Sequence, residues 1–270
     1  MTYALELKNV TKNYTNFTLQ NISLVLPKGC IMGLIGENGA GKSTLIKLML
    51  NLIQRDGGEI AVLDVPAEVF SAERNAHIGV VMDECHIPDM LNVRQVDQIM
   101  QDIYSNWQSD VFRQLTARFG LPEKSKIKTY SRGMKMKLSI AVALSHDAQL
   151  LILDEATSGL DPVVRDEILD IFLEFMQDEN HAILMASHIT SDLEKVCDYI
   201  TYIHKGHIEL SMEKDRLLEE YAIFKGTEEQ LRDIAPEAIL RVRRQQFGVE
   251  ALVKREQVNG AFVLERPTLE

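Results

Sequence analysis

The sequence has few cysteines, no long apolar run and more acidic than basic residues. Its three cysteines, Cys30, Cys85 and Cys197, lie far apart without a C-x-x-C pair, which argues against a zinc knuckle or a disulfide framework and favours a cytoplasmic protein. No segment reaches the roughly 18 to 20 apolar residues of a membrane-spanning helix, and the start lacks the pattern of a signal peptide. With 29 basic and 40 acidic residues the net charge is −11, so we expect no nucleic-acid partner.

The apolar residues, 46% of the chain, are enough for a globular protein with a sizeable core. Residues 3–26 contain short alternating stretches, which predict an antiparallel β subdomain. Residues 30–35 form a continuous apolar run, typical of a strand buried on both faces, and lead into a glycine-rich turn and an apolar helix over residues 41–52. This order opens a βαβ unit, so we predict an α/β fold with a largely parallel sheet and flanking helices.

Later segments extend the same pattern. Apolar runs at residues 150–153 and 182–186 predict further strands, with a helix between them that begins at Asp161 and Pro162. Residues 92–145 are helical by pattern. The helix after Pro162 is expected to bury Ile168, Ile171, Phe172 and Phe175, and the helical insert to bury Val93, Val96, Ile99, Met100, Ile103, Phe112, Leu115 and Phe119.

A glycine-rich loop follows the first buried strand and matches the pattern G-x-x-x-x-G-K-[ST]. It comprises Gly36, Glu37, Asn38, Gly39, Ala40, Gly41, Lys42, Ser43 and Thr44. In such a loop the backbone N–H groups and the helix N-terminus hold phosphate oxygens. Lys42 is expected to reach the β- and γ-phosphates and Ser43 to ligate Mg²⁺. The sequence therefore predicts a P-loop NTPase core.

Three ionisable residues stand where predicted strands end. Asp154 and Glu155 close the run at residues 150–153, and His188 follows the run at residues 182–186. Because parallel strands end at one edge of a sheet, all three are expected beside the phosphate loop. Asp154 is expected to hold Mg²⁺, and Glu155 to act as general base or to polarise the attacking water.

These motifs occur in an order that resembles the nucleotide-binding subunit of an ABC (ATP-binding cassette) transporter. The resemblance covers about residues 3 to 210. The corresponding positions, in chain order, are Tyr14 near the start, the phosphate loop, Met82 to Glu84 at the glutamine loop, Tyr130 to Met134 at the signature, Asp154 and Glu155, Ser158 to Asp161 at the D-loop, and the switch residue His188.

The resemblance implies a head-to-tail dimer that binds ATP between the phosphate loop of one copy and the signature of the other. Ser131 and the Gly133 backbone then contact the γ-phosphate in trans, and Asp161 couples the two sites. His188 holds the γ-phosphate and Glu155 in register. Tyr14 stacks on adenine, unless it is simply an exposed strand aromatic.

Two departures from the family pattern bear on the site. Asp83 replaces a glutamine that ligates Mg²⁺, and a carboxylate is also a good magnesium ligand. In the signature, Arg132 replaces the first glycine and Met134 the glutamine, while Ser131 and Gly133 are retained. The resulting Y-S-x-G-M resembles the signatures of bacterial exporters of drugs, peptides or lipids.

The leading hypothesis is an ATP-hydrolysing subunit that drives a separate transmembrane permease from the cytoplasmic side of the membrane. The second ATPase subunit is a like or an unlike chain. One alternative is a soluble ABC ATPase, for example of the iron–sulfur assembly type. The other is a regulator that no longer hydrolyses ATP. The regulator is disfavoured because the sequence retains Lys42, Asp154, Glu155 and His188.

The expected domain organisation is an ABC ATPase domain over residues 1–210 and a small accessory region over residues 211–270. The helical subdomain covers about residues 86–145, and in the family it receives a coupling helix of the permease. Met82, Cys85, Met90 and Met100 either pack internally or line that groove.

Overall fold

The computed structural model describes residues 3–245, 248–258 and 262–269. The chain divides into two compact units, Met1–Ser211 and Met212–Glu270. The strands that begin in the first unit are β1 (Tyr3–Tyr14), β2 (Phe17–Pro27), β3 (Ile31–Ile35), β4 (Gly57–Val62), β5 (Val65–Pro66), β6 (Ile78–Val81), β7 (Leu150–Asp154), β8 (Ala182–Ala186), β9 (Tyr199–His204) and β10 (His207–Glu213). Its helices are α1 (Lys42–Met49), α2 (Ala72–Ala76), α3 (Val93–Ile103), α4 (Ser109–Arg118), α5 (Arg132–Leu144), α6 (Pro162–Phe175) and α7 (Thr190–Val196).

A six-stranded sheet of order β10-β9-β3-β8-β7-β6 forms the centre of the first unit. The pairs β3–β8, β3–β9, β6–β7 and β7–β8 are parallel, and every residue of β7 and β8 is buried. Burial on both faces explains why these strands read as continuous apolar runs. The predicted α/β fold is confirmed, and the carboxyl ends of β3, β7 and β8 lie side by side.

The antiparallel sheet at the start of the chain has the order β2-β1-β4-β5. β1 pairs antiparallel with both β2 and β4. Sequence reasoning found the first two strands but not β4 and β5, which come after α1 and join the sheet through non-local pairing. The apolar faces of this sheet and of α1 share one core with the central sheet.

The helical insert consists of α3, α4 and α5, and its core differs in part from the predicted one. Val93, Val96, Phe112 and Phe119 are buried as expected, whereas Met100 and Leu115 are half-buried. Ile99 is 39% exposed and Ile103 is 62% exposed, so both were wrongly assigned to the core. Ile99 and Ile103 follow buried Val96 at spacings of three and seven residues, so they continue its face toward the C-terminal end of α3, where that face is no longer covered.

Helix α6 buries nearly the predicted face. Ile168, Ile171 and Phe172 are buried together with Leu169, which was not predicted. Phe175 is half-buried instead, because it ends the helix and its ring stacks on His181 at a centroid distance of 4.1 Å.

The second unit has a sheet of its own, of order β12-β13-β11-β14. Its elements are α8 (Lys214–Glu220), β11 (Tyr221–Gly226), α9 (Glu228–Arg232), β12 (Ile239–Gln245), β13 (Gly248–Lys254) and β14 (Leu264–Glu265). A separate core forms around Phe224, Ala251 and Val253. Of the predicted accessory region, residues 246–247, 259–261 and 270 lie outside the described residues.

Candidate active site

The phosphate loop connects the end of β3 to the start of α1. A Cβ on Gly36 would lie 2.5 Å from the carbonyl oxygen of Ile203, so only glycine fits there. Gly41 is the N-cap of α1 with φ +115°, a conformation that favours glycine. No side chain caps this helix, and its first N–H groups therefore remain available to an anion.

Lys42 is buried and its ammonium group points back into the loop. Nζ donates hydrogen bonds to the carbonyl oxygens of Gly36 at 2.6 Å and Glu37 at 3.5 Å. Two carbonyl oxygens hold the ammonium group in place but do not neutralise its charge. A buried positive charge in a cradle of backbone N–H groups fits a phosphate.

Asp154 ends β7 and is almost completely buried. Burial raises the pKa of its carboxyl above the ordinary value, and the negative charges of Asp83 and Glu155 raise it further. The hydrogen bond from Ser43 and the charge of Lys42 act in the opposite direction. Oδ1 is buried and has no hydrogen-bond partner in the described part of the chain. A buried, unsatisfied carboxylate oxygen beside a serine hydroxyl fits a divalent cation.

Glu155 and His188 form a close pair at the ends of β7 and β8. His188 Nδ1 lies 2.6 Å from Glu155 Oε2, and the His188 backbone N–H donates to the same oxygen at 3.4 Å. Glu155 has φ +55°, a rare conformation for a residue with a side chain, and its N–H donates to the Ala186 carbonyl at 2.9 Å. Sequence reasoning missed this backbone geometry.

The signature begins at the N-terminus of α5. The Ser131 hydroxyl is the N-cap and accepts a hydrogen bond from the Met134 N–H at 3.2 Å, while the Ser131 side chain is exposed. A Cβ on Gly133 would touch Leu160 at 3.3 Å, and a Cβ on Gly159 would lie 3.2 Å from the Arg132 guanidinium. The signature therefore packs against the D-loop of the same chain.

The remaining predicted residues lie around this group. Asp161 caps α6 by accepting a hydrogen bond from the Val164 N–H at 3.1 Å. Asp83 follows β6, is exposed, and acts electrostatically on Asp154. Tyr14 ends β1 with an exposed ring, and Lys12 Nζ lies 5.6 Å from the ring centroid.

Comparison with known proteins agrees with this geometry. The family model described as ABC transporter matches residues 19–158. The chain is 32% identical over 228 residues to the uncharacterised ABC transporter ATP-binding protein YhcH of Bacillus subtilis. The matched region covers 82% of this chain and 73% of that relative. The chain is 33% identical over 213 residues to the lantibiotic transport ATP-binding protein SrtF of Streptococcus pyogenes, covering 78% and 91%.

A solved structure of an ATP-binding subunit of an ABC transporter is similar with a TM-score of 0.73 at 25% identity, covering 79% of this chain and 91% of that one. The family match spans the phosphate loop, the signature and the Asp154–Glu155 pair. The chain belongs to the ABC transporter family, as an ATP-binding subunit that hydrolyses ATP.

Proposed function

We propose that this chain powers a peptide exporter as one half of a head-to-tail pair of ATPase subunits, using Mg²⁺ and a separate permease. ATP hydrolysis within this proposal is supported by one observation. Four side chains converge at one edge of the parallel sheet, those of Lys42, Asp154, Glu155 and His188.

Mg²⁺ is best held by the Ser43 hydroxyl and the Asp154 carboxylate, with Asp83 as a further ligand. Among the described residues no group of three His, Cys, Asp or Glu side chains is placed to hold a metal alone. We expect phosphate oxygens of the nucleotide to supply further ligands, as is usual for Mg²⁺ in such sites. When bound, the cation neutralises negative charge on the phosphates.

Glu155 is the group that orients and polarises the attacking water. Its carboxylate is held by the imidazole and the backbone N–H of His188. This double contact fixes the carboxylate near the phosphate loop, where positioning matters most for phosphoryl transfer. His188 is 56% exposed at its side chain and is therefore accessible to the γ-phosphate.

The second copy completes each site by contributing its signature. No hydrogen bond joins residues 131–133 to the phosphate loop within the described part of the chain. The exposed N-terminus of α5 thus remains free to offer Ser131 and the Gly133 N–H to the γ-phosphate bound by another copy. Asp161 lies beside this surface, and Tyr14 is placed to stack on adenine.

The permease docks on an exposed apolar surface near α2 and α3. Phe70 is 84% exposed and, with Ile103, lines a cavity of about 580 Å³. Ile99 continues the apolar surface one turn along α3. Such a patch is typical of a protein interface. We therefore place the contact with the permease at this patch. In the described ranges no helix has the length and apolarity to cross a bilayer.

The peptide substrate is proposed from the relative SrtF, whose name specifies lantibiotic transport. An ATPase of iron–sulfur assembly is less well supported, because the relatives reported above are named as transporter subunits.

The test is survival of cells that lack this chain when they are challenged with a lantibiotic. The wild-type chain restores survival, whereas Glu155→Gln does not. Phe70→Ser loses association with membranes, while Leu173→Ser, a change of an apolar side chain 40% exposed on α6, retains it. The export function is contradicted if cells survive equally well with the wild-type chain, with the Glu155→Gln variant and without the chain.

A further inference from the structure

Two ion pairs connect α6 to α7, and they differ in their surroundings. Lys195 Nζ lies 2.6 Å from Asp166 Oδ1, with both side chains more than half exposed. Arg165 Nε lies 3.7 Å from Asp192 Oδ2, and the Asp192 side chain is only 1% exposed. The first pair is an ordinary surface contact. In the second pair the carboxylate is buried while the Arg165 side chain is 24% exposed, and the pair was not identified from the sequence.

The pair of Arg165 and Asp192 joins two segments of the active site. Arg165 Nη2 donates a hydrogen bond at 3.3 Å to the carbonyl oxygen of Leu160, the D-loop residue that precedes Asp161. Asp192 lies in the first turn of α7, four residues after His188, and its N–H donates to the Ile189 carbonyl at 3.2 Å. One guanidinium group thus contacts the D-loop and faces the helix that follows the switch histidine.

The pair is not optimised as a stabilising contact. Arg165 Nε and Asp192 Oδ2 are buried and have no hydrogen-bond partner among the described residues. Burying a carboxylate without full hydrogen bonding is unfavourable. Shortening the 3.7 Å separation to the usual length of about 2.8 Å requires a shift of about 1 Å between the two segments.

We infer that Arg165 and Asp192 are positioning residues that transmit movement of the D-loop to His188 and thereby to Glu155. A displacement at Leu160 moves the Arg165 guanidinium, which changes its distance to Asp192 and the orientation of α7. Because α7 begins two residues after His188, the change reaches the contact between His188 Nδ1 and Glu155 Oε2. This inference rests on the roles proposed above for Glu155 and His188.

The experiment compares the full-length variants Arg165→Lys, Asp192→Asn and their combination with the wild type. Lysine keeps the charge but cannot contact Leu160 and Asp192 at the same time. We expect kcat for Mg²⁺-ATP to fall at least about tenfold while KM changes by less than about twofold. The double variant is expected to hydrolyse ATP no more slowly than the slower single variant, because each substitution alone already breaks the connection between Arg165 and Asp192.

The surface pair supplies matched controls on the same two helices. Asp166→Asn and Lys195→Gln are expected to keep kcat within about twofold of the wild type. Melting temperatures, with kcat measured on folded protein, separate a catalytic loss from instability. The inference is overturned if the Arg165 and Asp192 variants hydrolyse ATP like the wild type, if their losses add independently, or if the controls lose as much.

The same series distinguishes this inference from the proposed function. If the wild type does not hydrolyse ATP, or if Glu155→Gln is as active as the wild type, the roles proposed for the active site are wrong. A wild type that is active, a Glu155→Gln variant that is inactive and positioning variants of normal activity contradict only the connection through Arg165 and Asp192.

Discussion

His188 Nδ1 lies 2.6 Å from Glu155 Oε2, although the residues are 33 positions apart. The parallel pairing of β7 with β8 brings their ends together, and the left-handed backbone of Glu155 turns its side chain toward the histidine. The contact couples the group proposed to polarise water to the residue proposed to contact the γ-phosphate.

Replacing the Glu155 carboxylate by an amide tests its role directly. Glu155→Gln is expected to lower ATP hydrolysis by about 10²- to 10⁴-fold, the usual contribution of a positioned general base. ATP binding is retained because Lys42 and the phosphate loop are unchanged. Steady-state hydrolysis and equilibrium nucleotide binding measure the two effects, with the exposed Glu179→Gln as control. Hydrolysis at the wild-type rate contradicts the assignment.

Removing the Lys42 ammonium group is expected to abolish stabilisation by nucleotide. A ligand at about 100 times its dissociation constant stabilises a protein by about 2.7 kcal/mol. The melting temperature of the wild type should therefore rise with added ATP, whereas the melting temperature of Lys42→Ala should not. An equal rise in both proteins contradicts a phosphate contact of Lys42.

The carboxylate at position 83 is expected to make hydrolysis unusually dependent on magnesium. Burial raises the pKa of Asp154, and the negative charge of Asp83 raises it further. Two carboxylates therefore lie near the proposed cation. Asp83→Gln is expected to retain hydrolysis with an altered magnesium titration, since the amide does not repel phosphate when the metal is absent. An unchanged titration excludes Asp83 as a ligand.

Buried His146 is expected to destabilise the fold under mildly acidic conditions. Burial lowers its pKa below the ordinary value of 6.5, and the neutral ring contacts the Ala76 carbonyl at 2.8 Å. The unfolded chain then binds more protons, so this contribution to stability is complete above pH 6.5 and is lost as the pH falls toward the folded-state pKa.

Melting temperatures between pH 8 and pH 5, a range of about three units around the ordinary histidine pKa, measure this loss. His146→Gln is expected to flatten the dependence, whereas the exposed His207→Gln is expected to leave it unchanged. The same slope in the His146 variant would exclude this residue as the cause.

The parts of the site that sequence reasoning found depend on local signals. The glycine spacing of residues 36–41 reflects a backbone requirement, and the position of Asp154 follows from an apolar run that ends at a carboxylate. The conformation of Glu155 was not predictable in this way, because its N–H pairs with Ala186 on another strand.

Other features depend on which surfaces meet in the folded chain. Helical spacing shows that Ile99 and Ile103 share a face, but it does not show whether that face has a partner within the chain. The pair of Arg165 and Asp192 lacks a signal for the same reason, since it joins two helices.

The most direct test of the head-to-tail mechanism is ATP hydrolysis per mole of chain as a function of chain concentration, together with the mass of Glu155→Gln in ATP. If two copies share each site, specific activity rises with concentration, and Glu155→Gln binds ATP and forms dimers. Constant specific activity in the wild type, with Glu155→Gln monomeric at every concentration, would contradict this mechanism.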